Sequence, residues 1–158
     1  MESNFKPFRE LIQTESTLMS CVGDAKVAFV ALQDVTEAFV NVFDSSADTH
    51  VGCEYVITGP VSVTFKDVAA AATEALGRPI TYQDMPRDVF RNLMITEAGF
   101  TEADVEIEVM CHLDAFCAGK AARTTNDFTI LTGKKSTSVQ QWWIENADFF
   151  CSTPSQPE

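Results

Sequence analysis

His50 and His112 are the sequence's only histidines, and only imidazoles exchange a proton near neutrality without a large pKa displacement. Proton-transfer chemistry therefore starts from these two. His112 lies in a stretch, 101–118, that reads as a helix. At about 100° per residue, Val105, Val109, Leu113 and Phe116 form its apolar stripe, and His112 falls on the flank of that stripe, where an imidazole can reach a ligand. The plainer alternative is a helix-flank histidine bonded to backbone or water, since nothing beside it in sequence completes a dyad. Asp114 falls on another helix face. Asp34 ends an apolar run at the kind of rim where α/β proteins bind ligands, although a helix-capping role accounts for it fully. A carboxylate whose pKa is raised by burial is the substitute for His112, with Asp114 and Asp34 next in line. His50 sits in a polar loop and reads as solvated.

Other chemistries lack their residues. The five cysteines, at 21, 53, 111, 117 and 151, form no C-x-x-C pair and no metal-finger spacing. Cys111 and Cys117 are about 600° apart on a helix, which excludes a local disulfide. No histidine, cysteine and carboxylate cluster has metal-ligand spacing, so no metal is expected. A phosphate-cradling turn needs glycines two and three residues apart at a strand-to-helix junction. The seven glycines stand at 23, 52, 59, 77, 99, 119 and 133, no two closer than seven. No dinucleotide or other cofactor is expected to bind this chain by itself.

The elements that must position these residues are legible from periodicity and punctuation. Residues 3–13 read as a helix with Phe5, Phe8, Leu11 and Ile12 on one side and Pro7 in the first turn. Leu18–Cys21 reads as a short strand, Gly23-Asp24 as a turn, and Val27–Leu32 as a strand covered on both faces. Asp34 with Glu37 predicts a capping box for a helix to about Phe43. Glu54–Thr58 is the next strand, closed by Gly59-Pro60. Thr64 with Asp67 opens an alanine-rich helix that ends at Gly77, and Ile80–Tyr82 is a short strand. Pro86 starts a helix to about Glu97, and Thr101 with Asp104 starts the helix carrying His112. Residues 126–131 read as irregular or a brief strand, and Ser138 with Gln141 opens a last helix to about Phe149. Of Trp142 and Trp143, only one is expected to point inward. One domain over 1–150 and a disordered tail over 151–158 complete the reading.

Composition narrows the function classes. Eleven basic against 23 acidic residues give a formal charge of −12, which repels phosphate backbones and anionic lipid, so neither nucleic acid nor membrane is an expected partner. The sequence shows no signal-peptide pattern and no apolar run of spanning length. A reduced, cytoplasmic setting is the expectation.

Three segments, in this order and spacing, resemble the C-terminal half of the NmrA-like, atypical short-chain dehydrogenase/reductase family. They are Gly23–Val35, Tyr55–Pro60 and Ala75–Tyr82, and the resemblance covers roughly residues 1–150. It implies an α/β fold: a truncated Rossmann-type remnant sheet with covering helices from the substrate-binding part. It also implies that Asn4, Phe5 and Phe8 line a substrate cavity beneath the later helices, although a helix that merely packs by Phe5 and Phe8 is an equal alternative. The Tyr-x-x-x-Lys pair of short-chain reductases is missing, since Tyr55 is followed four on by Gly59 and Tyr82 by Pro86. The expected activity is a cofactor-independent isomerase, cyclase or lyase of secondary metabolism acting on a small apolar molecule. Its cavity would lie between the 3–13 and 101–118 helices. The alternatives are a non-catalytic partner of a full-length reductase-like protein, or half of a split oxidoreductase. A remnant sheet leaves a bare edge and an apolar face, so a homodimer is expected, built on the Val27–Leu32 and Tyr55–Thr58 strands or the helices beside them.

Overall fold

The chain begins with three helical turns in series: α1 (Glu2–Phe5), a 3-10 turn (Lys6–Phe8) and α2 (Arg9–Glu15). The computed structural model describes residues 1–46 and 48–151. Pro7 sits within the 3-10 turn, where its missing N–H removes no helical bond. Ser16 ends α2 at φ 55°. Arg78, distant in sequence, closes that end by donating to the Ile12 carbonyl at 2.7 Å and the Ser16 hydroxyl at 2.5 Å. The chain then enters β1 (Thr17–Ser20), which runs parallel to β2 (Thr81–Asp84) with Thr17 opposite Thr81 and Ser20 opposite Asp84. This pair is the one sheet among the described residues. The fold is α/β, mostly helical, with a small parallel sheet.

The strands expected at Val27–Leu32 and Glu54–Thr58 do not form. Val27 and Val63 exchange two backbone bonds, of 2.9 and 3.0 Å, as an isolated antiparallel bridge, and Ala28 donates to the Ala121 carbonyl at 2.8 Å. Val56 donates to the Asp127 carboxylate at 2.7 Å, and its carbonyl accepts from the Thr125 hydroxyl. Buried backbone polar groups must be paired; here loops and side chains do what a neighbouring strand does in a ladder. Val27, Phe29 and Ala31 are buried all the same, so the apolar run reports burial and not a sheet. Gly59 lets these segments touch: a Cβ there would lie 2.1 Å from the Phe29 carbonyl oxygen.

Local caps hold where the sequence places them. Thr64 and Asp67 form a reciprocal capping box at the start of α4 (Phe65–Leu76), and Gly77 ends it at φ 65°. Pro86 immediately precedes α5 (Arg87–Thr96). Asp34 is a correction. α3 (Leu32–Asp44) starts two residues before it, with Ala31 as a cap that offers no side-chain bond. Glu2 supplies the missing acceptor: one carboxylate oxygen takes the Leu32 N–H at 3.0 Å and the other takes the Trp142 indole N–H at 2.8 Å. Asp34 sits buried in the first turn instead, where the helix dipole favours it, and accepts the Thr137 N–H and hydroxyl, each at 2.7 Å.

The stretch read as irregular or strand is α8 (Asp127–Thr132), which packs on α3 and ends at Gly133. The last helix opens at Ser138 as expected but breaks at Asn146 into α9 (Val139–Glu145) and α10 (Ala147–Cys151). Both tryptophans are buried, Trp142 to 2% and Trp143 to 0% exposure. The expectation of one inward ring failed because α9 is covered from two sides. Phe5 lies against both indoles, at 5.5 and 5.6 Å between ring centroids, and Phe150 lies 4.6 Å from Trp143. Cys151 closes α10, and the remainder of the expected tail, 152–158, lies outside the described residues. No helix among the described residues is long and apolar enough to cross a membrane.

Burial by itself would raise the Glu2 pKa, but the bonds from Trp142 and Leu32 and the nearby N-terminal ammonium outweigh it and hold the group below its ordinary 4.5. A carboxylate depressed by folding contributes stability that is present above its unfolded pKa and lost as pH falls through the folded one. Glu2→Gln should therefore melt below wild type at pH 7, and the gap should close on acidification below about pH 4.5. Thermal melts followed by circular dichroism across that range check it.

Candidate functional site

The helix after Thr101 builds one wall of the site. The Thr101 hydroxyl accepts the Asp104 N–H at 3.1 Å, which starts α6 (Glu102–Asp104). The chain then widens into a π-helical segment, Val105–Met110, before α7 (Cys111–Cys117). A π-turn closes at i→i+5, so Val105 and Met110 share the core-facing side, both fully buried. In the expected regular register Val109 takes that place; in the structure it is only half-buried. The wider turn leaves Glu108, Val109, His112 and Phe116 along the wall of a cavity of about 370 Å³.

Asn4, Pro7 and Phe8 form the opposite wall. Met19 and Ser20 of β1 contribute from the sheet, and Phe65, Phe90 and Met94 complete the lining. The volume lies within the range of small-molecule sites. A second cavity, also about 370 Å³, adjoins it, with Val27–Val30 on its far side. Ser3, Asn4 and Phe116 line both.

Among the six candidate residues, the structure brings three together: His112, Asn4 and Phe8 line one cavity. Phe5 is placed in the core, 5.0 Å from the Phe29 ring. Asp114 is bound bidentately by Arg87 at 2.5 and 2.9 Å, outside both cavity linings, and Asp34 is engaged by Thr137. His112 has a neighbour the sequence reading set aside. Its Nδ1 lies 3.3 Å from the Cys111 sulfur, although that thiol also points at the Ile107 carbonyl, 2.6 Å away.

Glu108 and Ser20 are among the lining residues that the sequence reading did not single out. Glu108 precedes His112 by four, a spacing that places helical side chains on one face, and this signal was there to be used. Ser20 had none, being one serine in a short strand. Tyr82 is no substitute base: burial first, then its bond to Asp84 at 2.9 Å, push its phenol well above the usual range. Among the described residues, no group of three or more potential ligands could hold a metal ion. A dinucleotide does not fit the helix starts: the residues preceding α3, α4, α5, α6, α8 and α9 are Ala31, Thr64, Pro86, Thr101, Asn126 and Ser138. None belongs to a glycine turn that could approach a pyrophosphate.

The π register makes a testable distinction. Met110→Ala should cost about 2–5 kcal/mol, as for a fully buried side chain, whereas Val109→Ala should cost about 1 kcal/mol. Urea unfolding of the two variants checks the order, which a regular helix reverses.

No family model matches the sequence. The chain is 28% identical over 147 residues to the uncharacterized oxidoreductase YesF of Bacillus subtilis, covering 91% of this chain and 49% of that protein. It is 25% identical over 139 residues to (4-alkanoyl-5-oxo-2,5-dihydrofuran-3-yl)methyl phosphate reductase of Streptomyces griseus, covering 88% and 48%. Among solved structures, a NADPH-dependent quinone oxidoreductase from Escherichia coli superposes with a TM-score of 0.78 at 17% identity, over 91% of this chain and 50% of that one. The triphenylmethane reductase of Citrobacter sp., complexed with NADP(H), gives 0.74 at 23%, over 92% and 48%. The chain is thus related to oxidoreductases over most of its length and shares a fold with solved reductases, in agreement with the NmrA-like resemblance. It spans about half the length of these relatives.

Proposed function

We propose that this chain is the substrate-binding half of a reductase, holding a small, mostly apolar molecule in the cavity between α1–α2 and the π-bulged helix. The observation that carries this reading is the pair of adjacent cavities, which share Ser3, Asn4 and Phe116 in their linings: space for a substrate and, beside it, space for a second component. The relatives are named as oxidoreductases and reductases and carry about as many residues again beyond those matched. Hydride transfer requires a nucleotide-binding unit, in the same polypeptide or in another, because the helix starts here do not fit a pyrophosphate. What these residues contribute is shape, an apolar surface and, at His112, a proton-transfer group.

Attachment of such a unit needs an apolar surface. α3 presents one: Phe39 and Phe43 are 61% and 78% exposed and stack with centroids 6.0 Å apart, above Tyr55, Ile57 and Leu131. The two-fold association expected from the sequence is the competing use of the same face. Val27, Phe29 and Ala31 are covered from within the chain, so of the two expected places, strands or adjacent helices, the exposed apolar face is on a helix. The binding test is direct. Titration calorimetry of this chain should show no micromolar affinity for NADPH or NADH, while 1-tetralone, an apolar aromatic ketone, should bind. Micromolar binding of either dinucleotide to these residues alone overturns the division of labour.

A second reading is favoured by one observation, the imidazole on the wall of an apolar cavity. His112 would then act without a cofactor, taking the α-proton of a bound ketone to leave an enolate and returning a proton to the same carbon. Proton exchange of 1-tetralone in D2O, followed by NMR, reads this step. His112→Ala and His112→Gln should each slow it on the order of a hundredfold with the melting temperature kept. Wild-type exchange rates in both variants would leave His112 as a wall residue only.

A further inference from the structure

Ser20 occupies a position that the packing would give to an apolar side chain. Along β1 burial alternates, and Leu18 and Ser20 are the two residues on the buried side, at 0% and 2% exposure. The Ser20 hydroxyl is fully enclosed, yet it has no hydrogen-bond partner among the described residues. Its backbone is satisfied, since its carbonyl accepts the Met85 N–H at 2.8 Å, so the side chain alone is left over. Burying a hydroxyl without a partner costs free energy that alanine at the same place does not incur. Ser20 is one of the residues lining the cavity that holds Asn4, Phe8 and His112. The walls beside it are Met19, Phe65 and Phe90, which can grip a flat ring but offer it no polar contact.

We infer that Ser20 is the specificity-determining residue of this cavity: its hydroxyl reads a single oxygen on an otherwise apolar, ring-containing ligand. The ligand class is an aromatic ketone, quinone or phenol that turns its oxygen toward β1. This inference rests on the substrate-binding reading of the cavity and deepens it. A neutral hydroxyl donates to a carbonyl and accepts from a phenol, so it selects for an oxygen without selecting its oxidation state, which suits a site that must hold both a ketone and its alcohol. The hydrocarbon of the same shape leaves the hydroxyl unpaired and is discriminated against.

The experiment compares 1-tetralone with tetralin, the same skeleton without oxygen, on wild type and Ser20→Ala by titration calorimetry, with thermal melts of both proteins. Wild type should prefer the ketone by about tenfold, the worth of one neutral hydrogen bond at a buried site. Ser20→Ala should abolish that preference by weakening the ketone while leaving tetralin equal or tighter. The unliganded variant should melt at the same temperature as wild type or higher, because an enclosed unpaired group has been removed. A purely structural serine behaves oppositely, with a lower melting temperature and an unchanged ratio. If both ligands bind and Ser20→Ala keeps the tenfold preference, this inference fails and the cavity reading stands. If neither ligand binds wild type, both fail together.

Discussion

The structure depends on the aromatic contact that Phe5 makes. Its ring meets Phe29 from the apolar run, Phe65 at the start of α4, and both indoles of α9, with centroids between 5.0 and 6.5 Å. Segments far apart in sequence therefore share one buried ring. Large aromatic side chains dominate core energetics by the area they remove from water, and tilted pairs add somewhat more. Glu2, three residues earlier, ties the same segments by polar bonds to Leu32 and Trp142. The N-terminal helix is held from both sides of one turn, and this fixes the direction in which Asn4 and Phe8 face the cavity. Asn4 and Phe8 bracket Phe5 on that helix, so the core contact and the candidate binding surface are set by the same few residues.

Local signals were legible in the sequence and nonlocal ones were not, for a physical reason. Thr64, Thr101 and Ser138 cap helices by bonds three residues long, and Gly77 stops one by adopting a conformation open to glycine. Such features need only their own neighbours. Asp34 misled because a first-turn carboxylate satisfies the cap pattern, while the partner that captured it, Thr137, is 103 residues away. The paired tryptophans misled because helix periodicity describes a helix covered on one side. The runs at 27–32 and 54–58 have strand composition and burial, but a strand exists only when another lies beside it. Here their backbone partners include a single bridge, a loop carbonyl, the Glu2 carboxylate and side chains of the α8 region.

The candidate site shows the same division. That the cavity falls between the first and the His112-bearing helices followed from the resemblance together with the apolar stripe. The wall itself depends on the π segment, which no residue type announces. A π turn interposes one extra residue in the winding of a helix, and here it keeps Val105 and Met110 in the core while Glu108 and His112 stay on the cavity side. The energetic cost of a widened turn is met by two fully buried apolar side chains. The helix thus serves packing and site with different residues, and a regular winding would have forced Val109 to choose between them.

Two kinds of apolar surface remain outside the core, and they differ in a way that assigns them different tasks. The cavity is concave, ringed by aromatic and thioether groups, and contains an enclosed hydroxyl and an imidazole among them. A surface of that kind discriminates between small molecules, because each wrong ligand leaves a polar atom unpaired. The face of α3 holds two stacked phenylalanines over more apolar side chains, a surface that excludes water over a broad area but reads no particular group. Such faces suit macromolecular contact. In the curated relatives the matched residues are about half of the whole, and on the proposed reading the remaining half of such a fold is the occupant of this face. On the proposed reading, selectivity for a small molecule and attachment to a nucleotide-binding unit belong to opposite kinds of surface.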